Sequence, residues 1–104
     1  MASGKEYLDY ILDQLTPADE IRFRPMMGEY LLYCRGKLIG GIYDDRLLIK
    51  PTPSALRLLP GAPHELPYEG AKEMLLVEET DDGERLRALF AAVADDLPAP
   101  KKQR

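Results

Sequence analysis

Residues 21–50, "IRFRPMMGEYLLYCRGKLIGGIYDDRLLIK", decide the fold. Three runs rich in aromatic and aliphatic residues are separated by Arg35-Gly36 and Asp44-Asp45, and Pro51 follows the last run. Glycine and aspartate tolerate the positive φ of tight turns, and short apolar runs between such turns are typical of strands. We therefore predict an antiparallel meander. Pro25 cannot donate to a ladder, so the first strand is expected to be broken there or to lie at an edge.

The strand register follows if both connections are two-residue turns. The first turn then pairs Tyr33 with Leu38. Two residues further from the turn, it pairs Leu31 with Gly40. One face of the sheet is thereby predicted to be core, and it carries Leu31, Tyr33, Leu38, Ile42, Leu47 and Ile49. Met26 and Met27 are expected to fill the core as well.

The opposite face of the predicted sheet is more apolar than a solvated face needs to be. Its apolar side chains are Tyr30, Leu32, Ile39, Tyr43 and Leu48. A contiguous apolar patch marks a partner surface, so we predict that these five residues contact a protein partner or a second copy in a homodimer. The alternative is that the C-terminal helix or the loop over residues 61–72 covers this face as a second small core.

The remaining elements are predicted from helical periodicity and capping residues. Ser3 and Glu6 have the spacing of a capping box before a helix over residues 5–15. Thr52-Pro53 is a typical start for a short second helix. "EMLLVEE" predicts a fourth strand, and an acidic helix start follows at residues 81–84.

The predicted element order is α-β-β-β-α-β-α. It indicates an α+β fold of two layers, an antiparallel sheet with helices mainly on one face. We expect residues 1–97 to form a single domain and residues 98–104 to be a flexible basic tail.

Composition limits the compartment and the partners. The net charge is −4, so the chain as a whole does not attract nucleic acid or an anionic membrane. Cys34 is the only cysteine, which excludes an internal disulfide and fits a reducing compartment. No apolar run approaches a membrane span, and the N-terminus lacks the apolar region of a signal peptide. We therefore expect a cytoplasmic protein.

No group of residues has the pattern of a catalytic or metal site. Adjacent acids such as Asp44 and Asp45 point apart, so we interpret them as a turn and not as an acid–base pair. His64 is the only histidine, and no motif surrounds Cys34, so neither a metal site nor a nucleophile–base pair is indicated. We predict no enzyme activity, no metal and no cofactor.

Two other functions stay open from the residues alone. The tail residues Lys101, Lys102 and Arg104 could support weak nucleic-acid binding, although so few charges do not support a tight complex. Loops as long as residues 61–72 are often functional in compact domains, which leaves a small-ligand site as an alternative.

Residues 24–50, "RPMMGEYLLYCRGKLIGGIYDDRLLIK", resemble the N-terminal domain of the TfoX/Sxy family. The shared features are Met27-Gly28 before an aromatic strand, the glycine turn at Gly36, Asp44 to Leu47, and a strand that ends at Lys50. The likeness continues through "ELPYEGAKEMLLVEE" and is strongest to short, single-domain members. This resemblance implies an α+β fold similar to secretion chaperones. It also implies a non-enzymatic role related to competence regulators, which co-activate transcription with the cyclic-AMP receptor protein.

Overall fold

The computed structural model describes residues 4–15 and 21–98. Within these residues it has three helices and one six-stranded antiparallel sheet of strand order β1-β2-β3-β4-β6-β5. The elements in chain order are α1 (Lys5–Leu15), β1 (Ile21–Met26), β2 (Glu29–Cys34), β3 (Lys37–Tyr43), β4 (Arg46–Ile49), α2 (Pro53–Leu58), β5 (His64–Glu65), β6 (Met74–Leu76) and α3 (Gly83–Asp96). The predicted α+β class is confirmed. Ser3, residues 16–20 and residues 99–104 of the predicted tail lie outside the described residues.

Three two-residue turns connect the first four strands. The central residues of each turn have positive φ: 51° and 86° for Met27-Gly28, 55° and 77° for Arg35-Gly36, and 55° and 57° for Asp44-Asp45. Turns with positive φ at both central residues match the right-handed twist of paired strands, so they favour tight antiparallel hairpins. The interpretation of Asp44-Asp45 as a turn is confirmed.

The first apolar run forms a hairpin and not the single strand that the sequence predicted. Its turn is Met27-Gly28, which leaves the Met27 side chain 95% exposed, so the expectation that this methionine fills the core is wrong. β1 lies at the edge of the sheet, with Pro25 opposite Tyr30. The predicted edge position is therefore confirmed. The two-residue strand β5 is the other difference from the predicted order.

The helices pack on one face of the sheet, which we call the inner face. α1 has the predicted bounds and buries Leu8, Ile11 and Leu15. Asp82 caps α3 by accepting from the amide of Arg85. The core combines these helices with buried sheet residues, namely Leu32, Cys34, Ile39, Ile42, Leu47, Ile49, Leu75 and Val77 on the sheet and Leu86, Leu89, Phe90 and Val93 on α3. None of the helices in the described ranges is long and apolar enough to cross a membrane.

The predicted register is confirmed between β3 and β4 and is wrong between β2 and β3. Between β3 and β4, Ile42 pairs with Leu47 as expected. Between β2 and β3 the register shifts by one residue after the Tyr33–Leu38 pair, so Leu31 lies opposite Gly41 and not opposite Gly40. The shift is a β-bulge, an extra residue on one strand that re-aims the side chains beyond it.

Gly40 and Gly41 lie at the bulge because two neighbours, the backbone of β4 and the ring of Tyr43, leave no room for a side chain there. A Cβ on Gly40 would collide with the backbone of Leu48 and Ile49 on β4. A Cβ on Gly41 would stand 2.9 Å from the ring of Tyr43, which lies over this glycine. Glycine in a strand interior often marks a bulge or a close backbone approach, and here it marks both.

Because of the bulge, several residues lie on the opposite face of the sheet from the one predicted. Ile39 belongs to the core beside Leu32. Leu31, Tyr33 and Leu38, which were predicted as core, are only half-buried on the opposite face, which we call the outer face. A one-residue slip moves every side chain beyond it to the other face, and this is why the prediction failed on one side only.

Short polar contacts tie the helix ends together. Asp96 at the end of α3 accepts from the Ser54 amide at 2.7 Å and from the Ser54 hydroxyl at 3.0 Å. These bonds, the amide bond first, hold the pKa of Asp96 below its ordinary value of 3.8. Lys37 donates from Nζ to the carbonyl of Ala94 at 2.8 Å, where a cation also complements the C-terminal end of the helix dipole.

The bulge predicts which of two neighbouring residues carries stability. Ile39→Ala should cost about 2–5 kcal/mol, because Ile39 is fully buried in the core. Leu38→Ala should cost about 1 kcal/mol, because Leu38 is half-buried. Urea unfolding of both variants measures the difference. A larger cost at Leu38 than at Ile39 would show that the unbulged register is the real one.

Candidate functional site

The five residues predicted as an interaction face do not form one open surface. Tyr30, Leu32 and Ile39 lie on the inner face with the core. Tyr43 and Leu48 lie on the outer face, where they are 6% and 0% exposed. The predicted exposure and grouping of these residues are wrong. Whether any of them contacts a partner stays a prediction.

The outer face is covered at one end by the chain segment over residues 66–73. Tyr68 places the centroid of its ring 6.3 Å from that of Tyr43, and Pro67 in the same segment is buried. Arg46 anchors the start of the segment through an ion pair with Glu65 at 2.6 Å. The alternative that the 61–72 loop covers this face therefore holds for the region around Tyr43.

A groove of about 450 Å³ runs between this segment and the outer face. Its walls are mostly apolar, with two tyrosine rings and two lysines among the lining residues Leu38, Gly40, Tyr43, Lys50, Pro51, Thr52, Pro67, Tyr68, Ala71, Lys72, Glu73 and Met74. Glu73 also lies 3.6 Å from His64, measured from Oε1 to Nδ1. The groove thus combines aromatic surface with charged groups of both signs at its edge.

The other end of the sheet is the hairpin of β1 and β2, where the side chains are least covered. The four residues Arg22, Phe23, Arg24 and Pro25 are all exposed, although neighbours in a strand point to opposite faces. Both faces of β1 are therefore accessible. Phe23 is 43% exposed and packs edge-to-face on Tyr30 with ring centroids 6.0 Å apart.

Charge and apolar surface alternate on this hairpin. The register places Arg22 opposite Tyr33 and Arg24 opposite Leu31, so both arginines point to the outer face. Phe23 points to the inner face, beyond the part that the helices cover. Met27 extends the apolar surface to the turn. The hairpin therefore offers a basic side and an aromatic side on one strand.

Cys34 and His64 are kept apart by the fold. Cys34 is buried on β2, whereas His64 lies on β5 at the far edge of the sheet. The sequence interpretation that they form no nucleophile–base pair agrees with this placement. Among the described residues no group of three or more His, Cys, Asp or Glu side chains could hold a metal ion. The absence of metal, cofactor and enzyme activity stays a prediction.

Sequence reasoning missed Phe23, Met27 and Tyr68 as surface residues. Residues 21–34 were interpreted as one strand, and that interpretation conceals the Met27-Gly28 turn. The signal was Gly28 between two apolar runs, because glycine readily takes the positive φ of a hairpin turn. No sequence signal places Tyr68 over Tyr43, because their contact joins distant parts of the chain.

Comparisons with known proteins point to one family. The family model of the TfoX N-terminal domain matches residues 13–96. The chain is 32% identical over 105 residues to an uncharacterized 12.7 kDa protein in the trpE 5′ region of Spirochaeta aurantia. That match covers 100% of this chain and 91% of the relative. No solved structure matches the chain significantly.

The ionisation of Tyr43 in alkaline solution should show that the outer face is covered around this residue. Burial raises the pKa of Tyr43 above its ordinary value of 10.0, and nearby Tyr68 and Glu29 act in the same direction. Because the pKa of Tyr43 is raised in the folded state, the contribution of this tyrosine to folding stability is complete below pH 10. It is lost as the pH rises through the folded-state pKa.

We therefore expect unfolding free energy to fall more steeply above about pH 10 in the unchanged protein than in Tyr43→Phe. Urea midpoints measured from about pH 9 to about pH 11 provide the comparison. Equal slopes in the two proteins would show that Tyr43 ionises as freely in the folded state as in the unfolded state.

Proposed function

The chain belongs to the TfoX N-terminal domain family, and we propose that it is a small cytoplasmic module that acts by binding a protein partner. The resemblance to competence regulators makes transcriptional regulation through protein contacts the context for this role. No catalytic step is part of the proposal, because the only cysteine and the only histidine lie on widely separated strands.

The proposal is supported above all by the exposure of the β1–β2 hairpin. Phe23 is 43% and Met27 is 95% exposed, and they lie on one hairpin together with two exposed arginines. Aromatic residues, methionine and arginine are the types enriched in protein interfaces. A hairpin that concentrates all three supports a contact surface better than scattered exposed apolar residues do.

A protein partner fits this surface better than nucleic acid does. The chain has a net charge of −4, and the hairpin contributes only Arg22 and Arg24 as cations. Tight nucleic-acid binding draws most of its affinity from many phosphate contacts, which two arginines cannot supply. The second side of the strand is aromatic and apolar, which suits a desolvated protein contact.

Site-specific photo-crosslinking in cells tests the proposal. A photoreactive phenylalanine analogue replaces Phe23 in one variant and Leu56 in a control. Leu56 is 47% exposed on α2, so the two positions match in accessibility. We expect a discrete cross-linked species from position 23 that is weakened by Arg24→Glu and is absent from position 56.

The mass of the cross-linked species identifies the kind of partner. A species of twice the chain's mass indicates a homodimer, and any other discrete protein mass indicates a different partner. Either result supports the module. No discrete species from position 23, or the same species from position 56, would contradict it.

The groove beside Tyr68 supports a second candidate function, the binding of a small aromatic anion. Its volume of about 450 Å³ lies within the usual range of ligand pockets. The ring of Tyr68, which is 58% exposed, can stack on a planar ligand, while Lys50 and Lys72 can pair with its charge.

A ligand titration by NMR tests this second function. We expect 2-naphthoate to shift the amide signals of Tyr68 and Lys50, with weaker shifts from the uncharged 2-naphthalenemethanol. Tyr68→Ala should abolish the response, because the variant removes one wall of the groove. Shifts that are equal for both compounds, or unchanged in Tyr68→Ala, would exclude a specific site for aromatic anions.

A further inference from the structure

β1 is the end strand of the sheet, so one edge of its backbone faces the solvent. Among the described residues β2 is the only strand that pairs with β1. In a hairpin with a two-residue turn, the pair that flanks the turn is hydrogen-bonded, and the pairs alternate from there. Met26 and Glu29 flank this turn, so Arg24 and Arg22 also bond to β2. The polar groups of the residues between them point away from the sheet.

The outward groups are those of Ile21, Phe23 and Pro25. Ile21 and Phe23 each present an amide and a carbonyl, whereas Pro25 presents only a carbonyl because it has no amide hydrogen. An edge strand with free polar groups is a template for another strand. Proline at an outward position shortens this template, so a partner strand can pair fully only over residues 21–24.

The side chains of β1 predict which types of residue the added strand should carry. Residues that are directly opposite in an antiparallel pair share a face. A partner strand would therefore meet Arg22 and Arg24 on the outer face and Phe23 on the inner face. Acidic residues opposite the arginines and a β-branched residue opposite Phe23 complement this pattern, because opposite charges and aromatic–β-branched pairs stabilise adjacent strands.

Resting on the proposed function, we propose that the protein binds its partner by strand addition at β1. The partner supplies an extended segment in which acidic and β-branched residues alternate. Such binding combines backbone hydrogen bonds with side-chain selection at every second position.

A second copy of this chain fits the same edge poorly. The self-pairing register that uses all the outward groups centres on Phe23. It places Arg22 of each copy opposite Arg24 of the other copy. Like charges that lie directly opposite each other destabilise a strand pair. The edge therefore favours a different, acidic chain over itself.

Short peptides test this inference with the full 104-residue chain. The probe is the labelled peptide Thr-Glu-Val-Glu-Val-Glu-Thr. One control has lysine at the three glutamate positions. A second control keeps the glutamates and carries N-methyl groups on alternate amides of the edge that would pair with β1. Fluorescence anisotropy follows binding up to about 1 mM, because short extended peptides bind weakly.

We expect the glutamate peptide to bind and to slow hydrogen exchange at the amide of Phe23. Arg22→Glu/Arg24→Glu should weaken it at least about tenfold and should favour the lysine peptide. Arg57→Glu/Arg85→Glu is the matched control for total charge, because both of its arginines are exposed and lie outside β1. This control variant should bind like the unchanged protein.

Two variants at position 23 distinguish the contribution of the backbone amide to binding from that of the side chain. Phe23→Ala keeps the outward amide, whereas Phe23→Pro removes it. Strand addition predicts that Phe23→Pro binds the glutamate peptide clearly less tightly than Phe23→Ala does, with both variants folded by circular dichroism.

Three results would overturn strand addition: no binding of the glutamate peptide, equal binding of its N-methylated form, or equal loss in the two charge-reversal variants. A concentration-dependent dimer that Phe23→Pro dissociates and Arg24→Glu strengthens would show that a second copy occupies the edge instead, because Arg24→Glu places opposite charges where the two arginines would meet. If photo-crosslinking at position 23 succeeds while the peptides fail, the proposed function stands and only the mode of contact is wrong.

Discussion

The close approach of β3 to β4 at Gly40 is the constraint on which the rest of the sheet depends. No side chain fits between the two backbones there, and at the same place, Ile39 and Gly40, β3 has its bulge against β2. The bulge turns Ile39 toward the helices and leaves Leu38 on the outer face. One extra residue therefore decides which side of β2 belongs to the core.

The two ends of the sheet differ in how their surfaces are covered. Around Tyr43 the outer face is closed by the segment that carries Tyr68, and burial there raises the tyrosine pKa. At β1 the edge strand extends beyond the helices, and Phe23 and the two arginines stay accessible. The core gives the sheet its stability, while the uncovered hairpin supplies the surface that our proposed function requires.

Local signals in the sequence were enough for the helices and most turns. The bounds of α1 and the turn at Asp44-Asp45 follow from periodicity and turn chemistry. The bulge could not be predicted, because Gly40-Gly41 permits several backbone paths and the close neighbours of these glycines on β4 and β2 are brought there only by the fold. The same error misplaced the interaction face, since a one-residue slip exchanges buried and exposed positions. The methionine turn was missed because methionine rarely takes positive φ.

The bulged register is the central claim, and one NMR observation tests it directly. Opposite residues in a pair that is not hydrogen-bonded have Cα atoms about 4.5 Å apart, so their α-hydrogens give a strong nuclear Overhauser effect. The structure predicts this effect between Leu31 and Gly41. An effect between Leu31 and Gly40 instead would contradict the bulge and would return Leu31, Tyr33 and Leu38 to the core.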